Sequence, residues 1–143
     1  MKPIILFPAL IAAGLGLGGG GALAVRQLMP AGASARPAEP PRQFVAVPHV
    51  LAPLVMADGR LSGYVSFDVG LDVAATDEAA VTRQLPMLLH AINMRTFRTP
   101  LAAGPDGLLP DVRGLRAVVM AAAPEAFGRG VVRRVAITRA EPA

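Results

Sequence analysis

The clearest pattern in the chain is an alternation of apolar and polar positions between Leu61 and Val73. The apolar positions are Leu61, Val65, Phe67, Val69, Leu71 and Val73, and the positions between them include Ser62, Tyr64, Ser66, Asp68 and Asp72. A period of two over this length predicts a long β-strand with one buried face and one solvated face.

A shorter apolar run precedes this strand and predicts an earlier one. It begins at Phe44, is interrupted near Pro48, and either continues or restarts over residues 53–57. Asp58 and Gly59 then separate the two runs, and this dipeptide is typical of a tight hairpin turn.

A helix is predicted after the long strand. Thr76, Asp77 and Glu78 supply its start, with acidic side chains where the helix dipole favours them. Apolar residues then recur at helical spacing at Val81, Leu85, Leu88, Leu89 and Ile92. Pro86 is expected to interrupt or kink this helix. A second apolar row, Met87, Met94 and Phe97, lies off that face, and it fits either deeper burial in the domain's own core or a contact between subunits.

The remaining residues predict a loop, a second helix and a closing strand. Proline and glycine punctuate residues 98–110, which predicts the loop. The second helix has Val112, Leu115, Val119 and Ala122 on one face, Pro124 at its end, and Gly128 and Gly130 at its exit. Val131, Val135 and Ile137 indicate the last strand. The order β-β-α-α-β predicts an α+β domain over residues 44–143, with a mainly antiparallel sheet and two helices.

The N-terminal residues 3–25 form an uncharged run between Lys2 and Arg26. About 20 apolar residues suffice for a membrane-spanning helix, so residues 1–25 are predicted to be a membrane anchor. The alternative is a cleaved secretory signal, because Ala22-Leu23-Ala24 has the small-x-small form of a cleavage site.

The chain that follows the anchor is predicted to lie outside the cytoplasm. One basic residue ahead of a hydrophobic run is the usual export signal, although the arginines after the run weigh against this orientation in the positive-inside count. Residues 26–43 are rich in Pro, Ala and Arg and have no apolar period, which predicts a semi-extended linker.

Glycines in the apolar run admit two interpretations. Gly14, Gly16, Gly18 and Gly20 place small residues on one helix face, which permits close helix packing in lipid, although glycine is also simply frequent there. Gly14, Gly16 and Gly19 also spell the G-x-G-x-x-G of dinucleotide-binding folds. The prolines from Pro30 to Pro41 exclude the crossover helix that such a fold needs, so no cofactor is predicted.

The net charge of +4 is concentrated outside the predicted domain. Residues 1–43 carry four basic residues against one acidic residue, whereas residues 44–143 carry ten against nine. A nucleic-acid-binding domain normally carries a concentrated basic excess, so nucleic acid is not an expected partner. The chain has no cysteine, which excludes disulfides, thiolate metal sites and cysteine nucleophiles.

The polar residues do not form a recognisable catalytic pattern. His49 and His90 lie far apart in the sequence and belong to no partner motif. Asp68 and Asp72 share the outer strand face but stand about 13 Å apart, too far for paired acid–base work. Neither an enzyme nor a metal site is predicted. A basic cluster near the C-terminus could contact anionic lipid or an acidic partner, or protect an edge strand from aggregation; it comprises Arg129, Arg133, Arg134 and Arg139.

Taken together, these parts resemble the FliL family of flagellar basal-body-associated proteins. The matching stretches are Phe44 leading into Pro53-Leu54-Val55, the strand Leu61–Val73 followed by Asp77-Glu78, Pro86 ahead of Leu89, Ile92 and Arg95-Thr96, then Gly107-Leu108, and Val135-Ala136-Ile137-Thr138. The resemblance implies one N-terminal inner-membrane helix, a linker and a small periplasmic α+β domain similar to stomatin-like domains.

The same resemblance implies a structural role at the flagellar basal body, where members of the family assemble around the stator and support torque. The implied partners are membrane lipid, further copies of the chain, and stator and basal-body proteins. Met87, Met94 and Phe97 are then the expected subunit interface. The alternative function is a secreted or periplasmic non-catalytic binding domain, released after signal cleavage.

Overall fold

The computed structural model of the chain describes residues 38–143, of which Pro40–Ala143 form one unit. Its elements are β1 (Arg42–Val55), β2 (Leu61–Ala74), α1 (Glu78–Thr96), β3 (Ala102–Ala103), β4 (Leu109–Pro110), α2 (Val112–Phe127) and β5 (Val132–Pro142). The three long strands form an antiparallel sheet in the order β1-β2-β5. Both helices pack on one face of this sheet, α1 beside β1 and α2 beside β5. The predicted α+β class with an antiparallel sheet and two helices is confirmed.

The hairpin that joins β1 to β2 forms at the predicted turn. Gly59 has a φ of 85°, a left-handed conformation that glycine adopts without steric cost. Its N–H donates to the carbonyl of Met56 at 2.9 Å, and the Met56 N–H donates to the carbonyl of Arg60 at 2.8 Å. The two strands therefore pair over almost their whole length.

The core lies between the helices and one face of the sheet. The alternation in β2 delivers its apolar side chains to that face, where Val65, Phe67, Val69, Leu71 and Val73 are all buried. They meet the buried faces of the helices, which comprise Val81, Leu88, Ala91 and Ile92 of α1 and Leu115, Val118, Val119, Ala122 and Ala123 of α2. The predicted buried face of the long strand is thus correct from Val65 onward, whereas Leu61 is exposed beside the turn.

Helix α1 runs from Glu78 to Thr96 without a break, so the interruption expected at Pro86 is absent. Proline removes the hydrogen bond to the carbonyl four residues earlier, which here belongs to Thr82. Because Pro86 and Thr82 both lie on the exposed side, water can reach that carbonyl.

Helix α2 also differs from the expectation that Pro124 ends it, because it continues to Phe127. Its start is capped by the Asp111 carboxylate, which accepts from the Arg113 N–H at 3.0 Å. Pro124 has no backbone N–H to donate, but its carbonyl accepts from the Gly128 N–H at 3.0 Å. Gly128, with a φ of 90°, ends the helix.

The segment predicted as a plain loop, residues 98–110, contains the two-residue strands β3 and β4. Within residues 38–143, no helix combines the length and apolar character that crossing a bilayer requires. The predicted anchor, residues 1–25, lies outside the described residues.

Candidate binding surface

The outer face of the three-stranded sheet is not covered by either helix. It carries three large apolar side chains with much of their surface in solvent: Phe44 is 61% exposed, Leu51 55% and Tyr64 41%. Leu51 lies opposite Ser66, two positions from Tyr64, whereas Phe44 lies opposite Asp72 toward the other end of β2. Exposed apolar side chains on a face that no helix covers are candidates for a contact surface.

A shallow apolar groove of about 460 Å³ crosses this face, and we call it the sheet groove. Its lining consists of Phe44, Ala46, Val47, Pro48, Asp68, Val69, Gly70, Ala136 and Thr138. Its floor is set by the strand register, which places Ala46 of β1 opposite Gly70 of β2 and Gly70 opposite Ala136 of β5. Three small residues in one row across the sheet leave the space that the groove occupies.

Phe44 forms one wall of the groove, and its ring lies beside Gly70. A Cβ built on Gly70 would stand 3.4 Å from the Phe44 Cδ1 and 4.0 Å from the Ala136 Cβ, which are ordinary contact distances. A methyl group at Gly70 therefore fits without displacing the backbone, and it would raise the groove floor.

Two β-bulges flank the groove at the level of Asp68. In β1, Val47 pairs with Val69 and Val50 with Phe67, so Pro48 and His49 lie opposite one residue of β2. His49 has a φ of 55°, and its N–H donates to the Asp68 Oδ1 at 2.8 Å. The Asp68 carboxylate thus stabilises a backbone conformation that residues other than glycine rarely adopt.

The second bulge lies in β5 on the other side of the same residue. Asp68 pairs with Arg139 and Val69 pairs with Ile137, which leaves Thr138 as the extra residue. The Thr138 hydroxyl donates to the Asp68 carbonyl at 3.3 Å. Both neighbours of β2 are therefore deformed at one point, and that point borders the groove.

Asp72, predicted to lie on a solvated face with Asp68, is buried instead, with 7% of its surface exposed. The Arg42 Nε lies 2.7 Å from its Oδ1, and the Arg42 Nη2 donates to its backbone carbonyl at 2.9 Å. The first residue of β1 thus covers the end of β2. The expectation of a solvated Asp72 is wrong. Its partner, Arg42, lies 30 residues earlier in the chain, so the pattern around Asp72 does not show the pairing.

The helix row predicted as a subunit interface is exposed, and so it is not part of the domain's own core. Met87 is 58% exposed, Met94 48% and Phe97 58%. Arg95 of the same helix forms an ion pair with Glu125 of α2, which fixes the C-terminal end of α1 against its neighbour. A subunit contact at this row stays a prediction, and Gly14, Gly16, Gly18 and Gly20 lie outside the described residues.

The histidine and carboxylate side chains form no metal-binding cluster in the described range. His90 is exposed on α1, far along the chain from the His49 bulge. No group of three His, Asp or Glu residues among residues 38–143 could hold a metal ion. The Arg60 backbone N–H and guanidinium both donate to Asp58 and lower the pKa of that carboxyl, whereas a hydrogen bond to Glu141 raises the pKa of Arg139. Both pairs are exposed.

The sheet groove was not predicted from the sequence. Its three floor residues lie in three separate segments, and only the strand register aligns them. The available signal was a small residue at an outward position of β2, since Gly70 interrupts the polar set of the alternation.

No protein-family model matches the chain, and neither a curated protein nor a solved structure matches it.

Proposed function

We propose that this chain is a membrane-anchored, non-catalytic accessory protein that works through protein contacts. On the resemblance to the FliL family, this role would lie at the flagellar basal body, next to the stator. The observation that carries the proposal is the exposure of large apolar side chains on two separate surfaces of one small domain, the α1 row and the outer sheet face.

The two surfaces differ in a way that suits two different contacts. Met87 and Met94 are flexible side chains one heptad apart on a helix, and methionine adapts readily to partner surfaces. The outer sheet face is formed by paired strands and presents a groove of about 460 Å³. A chain with both surfaces can contact another copy through one and a different protein through the other.

The anchor completes this proposal. Residues 3–25 would hold the chain in the inner membrane with its domain in the periplasm, and Gly14 and Gly18 would allow close helix packing. Confinement to two dimensions raises the effective concentration of the domains, so a weak contact through the α1 row is sufficient for assembly.

Crosslinking tests the contact, and the absence of cysteine makes it specific. Met87→Cys in native membranes, treated with a thiol-reactive crosslinker, should yield dimers or larger species. Thr82→Cys is the matched control, because Thr82 is exposed on α1 but points away from the row.

Adding Met94→Glu to the Met87→Cys chain should reduce crosslinking at an unchanged melting temperature, because a charge in a wet contact opposes association without entering the core. Equal crosslinking with and without Met94→Glu would remove the interface. A large drop in melting temperature would show that Met94 stabilises the domain itself.

Swimming assays test the flagellar part separately. Deletion of the gene should reduce swimming in viscous medium, and expression of the unaltered chain should restore it, whereas the Met94→Glu chain should not. Normal swimming of the deletion strain refutes the flagellar role and leaves the crosslinking result standing.

The second candidate function is a periplasmic or secreted binding domain released after Ala24, and the sheet groove of about 460 Å³ favours it. Mass spectrometry of the N-terminal peptide separates the two candidates. A soluble species that starts at Val25 refutes the anchor, whereas an intact N-terminus in the membrane fraction refutes release.

A further inference from the structure

Basic and acidic residues are segregated along the described domain. The part from α2 to the end, residues 112–143, contains six arginines and two glutamates. Residues 38–111 contain five arginines and eight acidic residues. The near-neutral total therefore conceals a basic side formed by α2 and β5.

Three of these arginines line one pocket of about 450 Å³, which we call the arginine pocket. Its lining residues, all within the described part of the chain, are Arg116, Met120, Arg133, Arg134, Val135 and Ala136, with no carboxylate among them. The pocket is therefore lined by three basic residues and three apolar residues.

The pocket takes its arginines from two elements. Four consecutive residues of β5, 133–136, line it together, and β5 is an edge strand of the sheet. Arg134 pairs with Asp72 and Val132 pairs with Val73, which leaves Arg133 as the extra residue of a bulge. A bulge re-aims side chains, and Arg116 completes the set from the adjacent helix.

Three carboxylates on the adjoining elements are paired with other arginines. Asp72, opposite Arg134 in the sheet, holds the Arg42 Nε at 2.7 Å. Glu125 of α2 pairs with Arg95, and Glu141 of β5 pairs with Arg139. Arg133 has an interaction of its own, so Arg116 and Arg134 are the arginines expected to bind an anion. Like charges held together repel one another, and an anion between them relieves that repulsion.

The arginine pocket lies at one end of the sheet. Arg42 of β1 pairs with Ala74, and Val132 of β5 pairs with Val73, so β1 and β5 begin at the same end of the sheet. The arginine pocket therefore lies toward the end at which the chain arrives from residues 1–37. With residues 3–25 as an anchor, anionic phospholipid is an anion available to the domain.

We propose that the arginine pocket binds the phosphate of an anionic phospholipid headgroup. Guanidinium forks match phosphate oxygens in two-point hydrogen bonds, and the apolar wall of Met120, Val135 and Ala136 suits the adjoining glycerol. The site rests on the proposed anchor, which supplies lipid at high local concentration. Lipid bound there would bring α2 and β5 to the bilayer surface.

Hydrogen exchange of the full-length chain in lipid nanodiscs tests this site. Discs of neutral phosphatidylcholine are compared with discs that contain phosphatidylglycerol. Lipid in the site opposes local opening by a factor of one plus the ratio of lipid concentration to Kd, so exchange in residues 131–137 should slow about tenfold at tenfold excess over Kd. The double variant Arg116→Gln, Arg134→Gln should lose this protection, and Arg83→Gln, an exposed arginine on α1, should retain it.

Each outcome decides a separate question. Failure of the chain to copurify with the discs refutes the anchor, whereas copurification without lipid-dependent protection refutes only the headgroup site. Equal protection in the double variant refutes the role of these arginines. Protection by inorganic phosphate in neutral discs, without protection by phosphatidylglycerol, would assign the pocket to a free anion and overturn the lipid proposal.

Discussion

Val69→Asp tests both the register of the sheet and the position of the core. Val69 lies in the middle of β2 on the face that packs against the helices, and only 2% of its surface is exposed. Asp68, its neighbour, points to the outer face and accepts the His49 N–H at 2.8 Å. Substitutions at these adjacent positions should therefore have very different costs.

The cost of Val69→Asp has two parts. Losing the buried valine side chain forfeits about 2 kcal/mol of apolar burial. The new carboxyl must also be neutral inside the core, and protonating an aspartate at pH 7 costs about 4 kcal/mol, from an unfolded pKa of about 3.9. The sum, about 6 kcal/mol, is comparable with the whole stability of a domain of this size, about 5–15 kcal/mol.

Urea unfolding of the detergent-solubilised full-length chain, followed by circular dichroism, measures this cost. Val69→Asp should be unfolded or nearly so at pH 7, and Val69→Asn should lose only the part that does not depend on charge. Burial raises the folded-state pKa of the new carboxyl above its unfolded value, so its charge penalty is present above the unfolded pKa and disappears as the pH falls toward 4.

Asp68→Val should cost about 1 kcal/mol, because water can replace the carboxylate at the exposed His49 amide. The reasoning is refuted if Val69→Asp and Asp68→Val are equally harmful, or if the gap between Val69→Asp and Val69→Asn is the same at pH 4 and pH 7.

Three further substitutions test local geometry. His49→Gly should stabilise the domain by about 0.5–1 kcal/mol in the same urea unfolding experiment, because glycine accepts a φ of 55° without strain. His49→Val should destabilise it. Gly114→Ala should cost about 1–2 kcal/mol despite its better helix propensity, since its Cβ would stand 2.9 Å from the Cδ2 of the fully buried Leu101; a gain in stability would contradict this packing. Arg60→Gln should raise the pKa of Asp58 toward its ordinary value in an NMR titration. In the unaltered chain the contribution of Asp58 is present above its unfolded pKa and is lost as the pH falls through the lowered folded-state pKa, so an identical titration curve in both chains would refute the turn contacts.

The sequence was sufficient for the elements that depend on local patterns. The alternation from Val65 to Val73 gave the central strand and its buried face, and the Asp58-Gly59 turn gave the hairpin. Helix α1 begins at Glu78, where its start signal indicates. These features depend on residues within a few positions of one another, so a single segment contains the information.

The errors lie where the outcome depends on distant residues. The sequence shows an interruption of β1 near Pro48. It does not show that a bulge there shifts the alternation by one residue, so that the buried positions change from Val45 and Val47 to Val50 and Ala52. Asp72 was misjudged because its arginine lies at the start of another strand.

The candidate surfaces show the same limit. The row of Met87, Met94 and Phe97 was recognised from helical spacing, because all three lie on one element. The arginine cluster was recognised only in part, since Arg116 joins Arg133 and Arg134 through the contact of α2 with β5. The sheet groove needs the register of three strands and was missed.

The strand order β1-β2-β5 has a consequence for how the domain folds during synthesis. The central strand receives one neighbour from the adjacent hairpin and the other from far downstream, with 70 residues separating Asp68 from Thr138. A chain emerging from a ribosome or a translocon can form the hairpin early, but its sheet stays incomplete until β5 has emerged. The chain therefore stays incompletely folded while it passes through a translocon, and it completes its sheet only afterwards. Pulse-labelling hydrogen exchange during refolding should therefore find the β1–β2 amides protected before those of β5, and simultaneous protection would contradict this order.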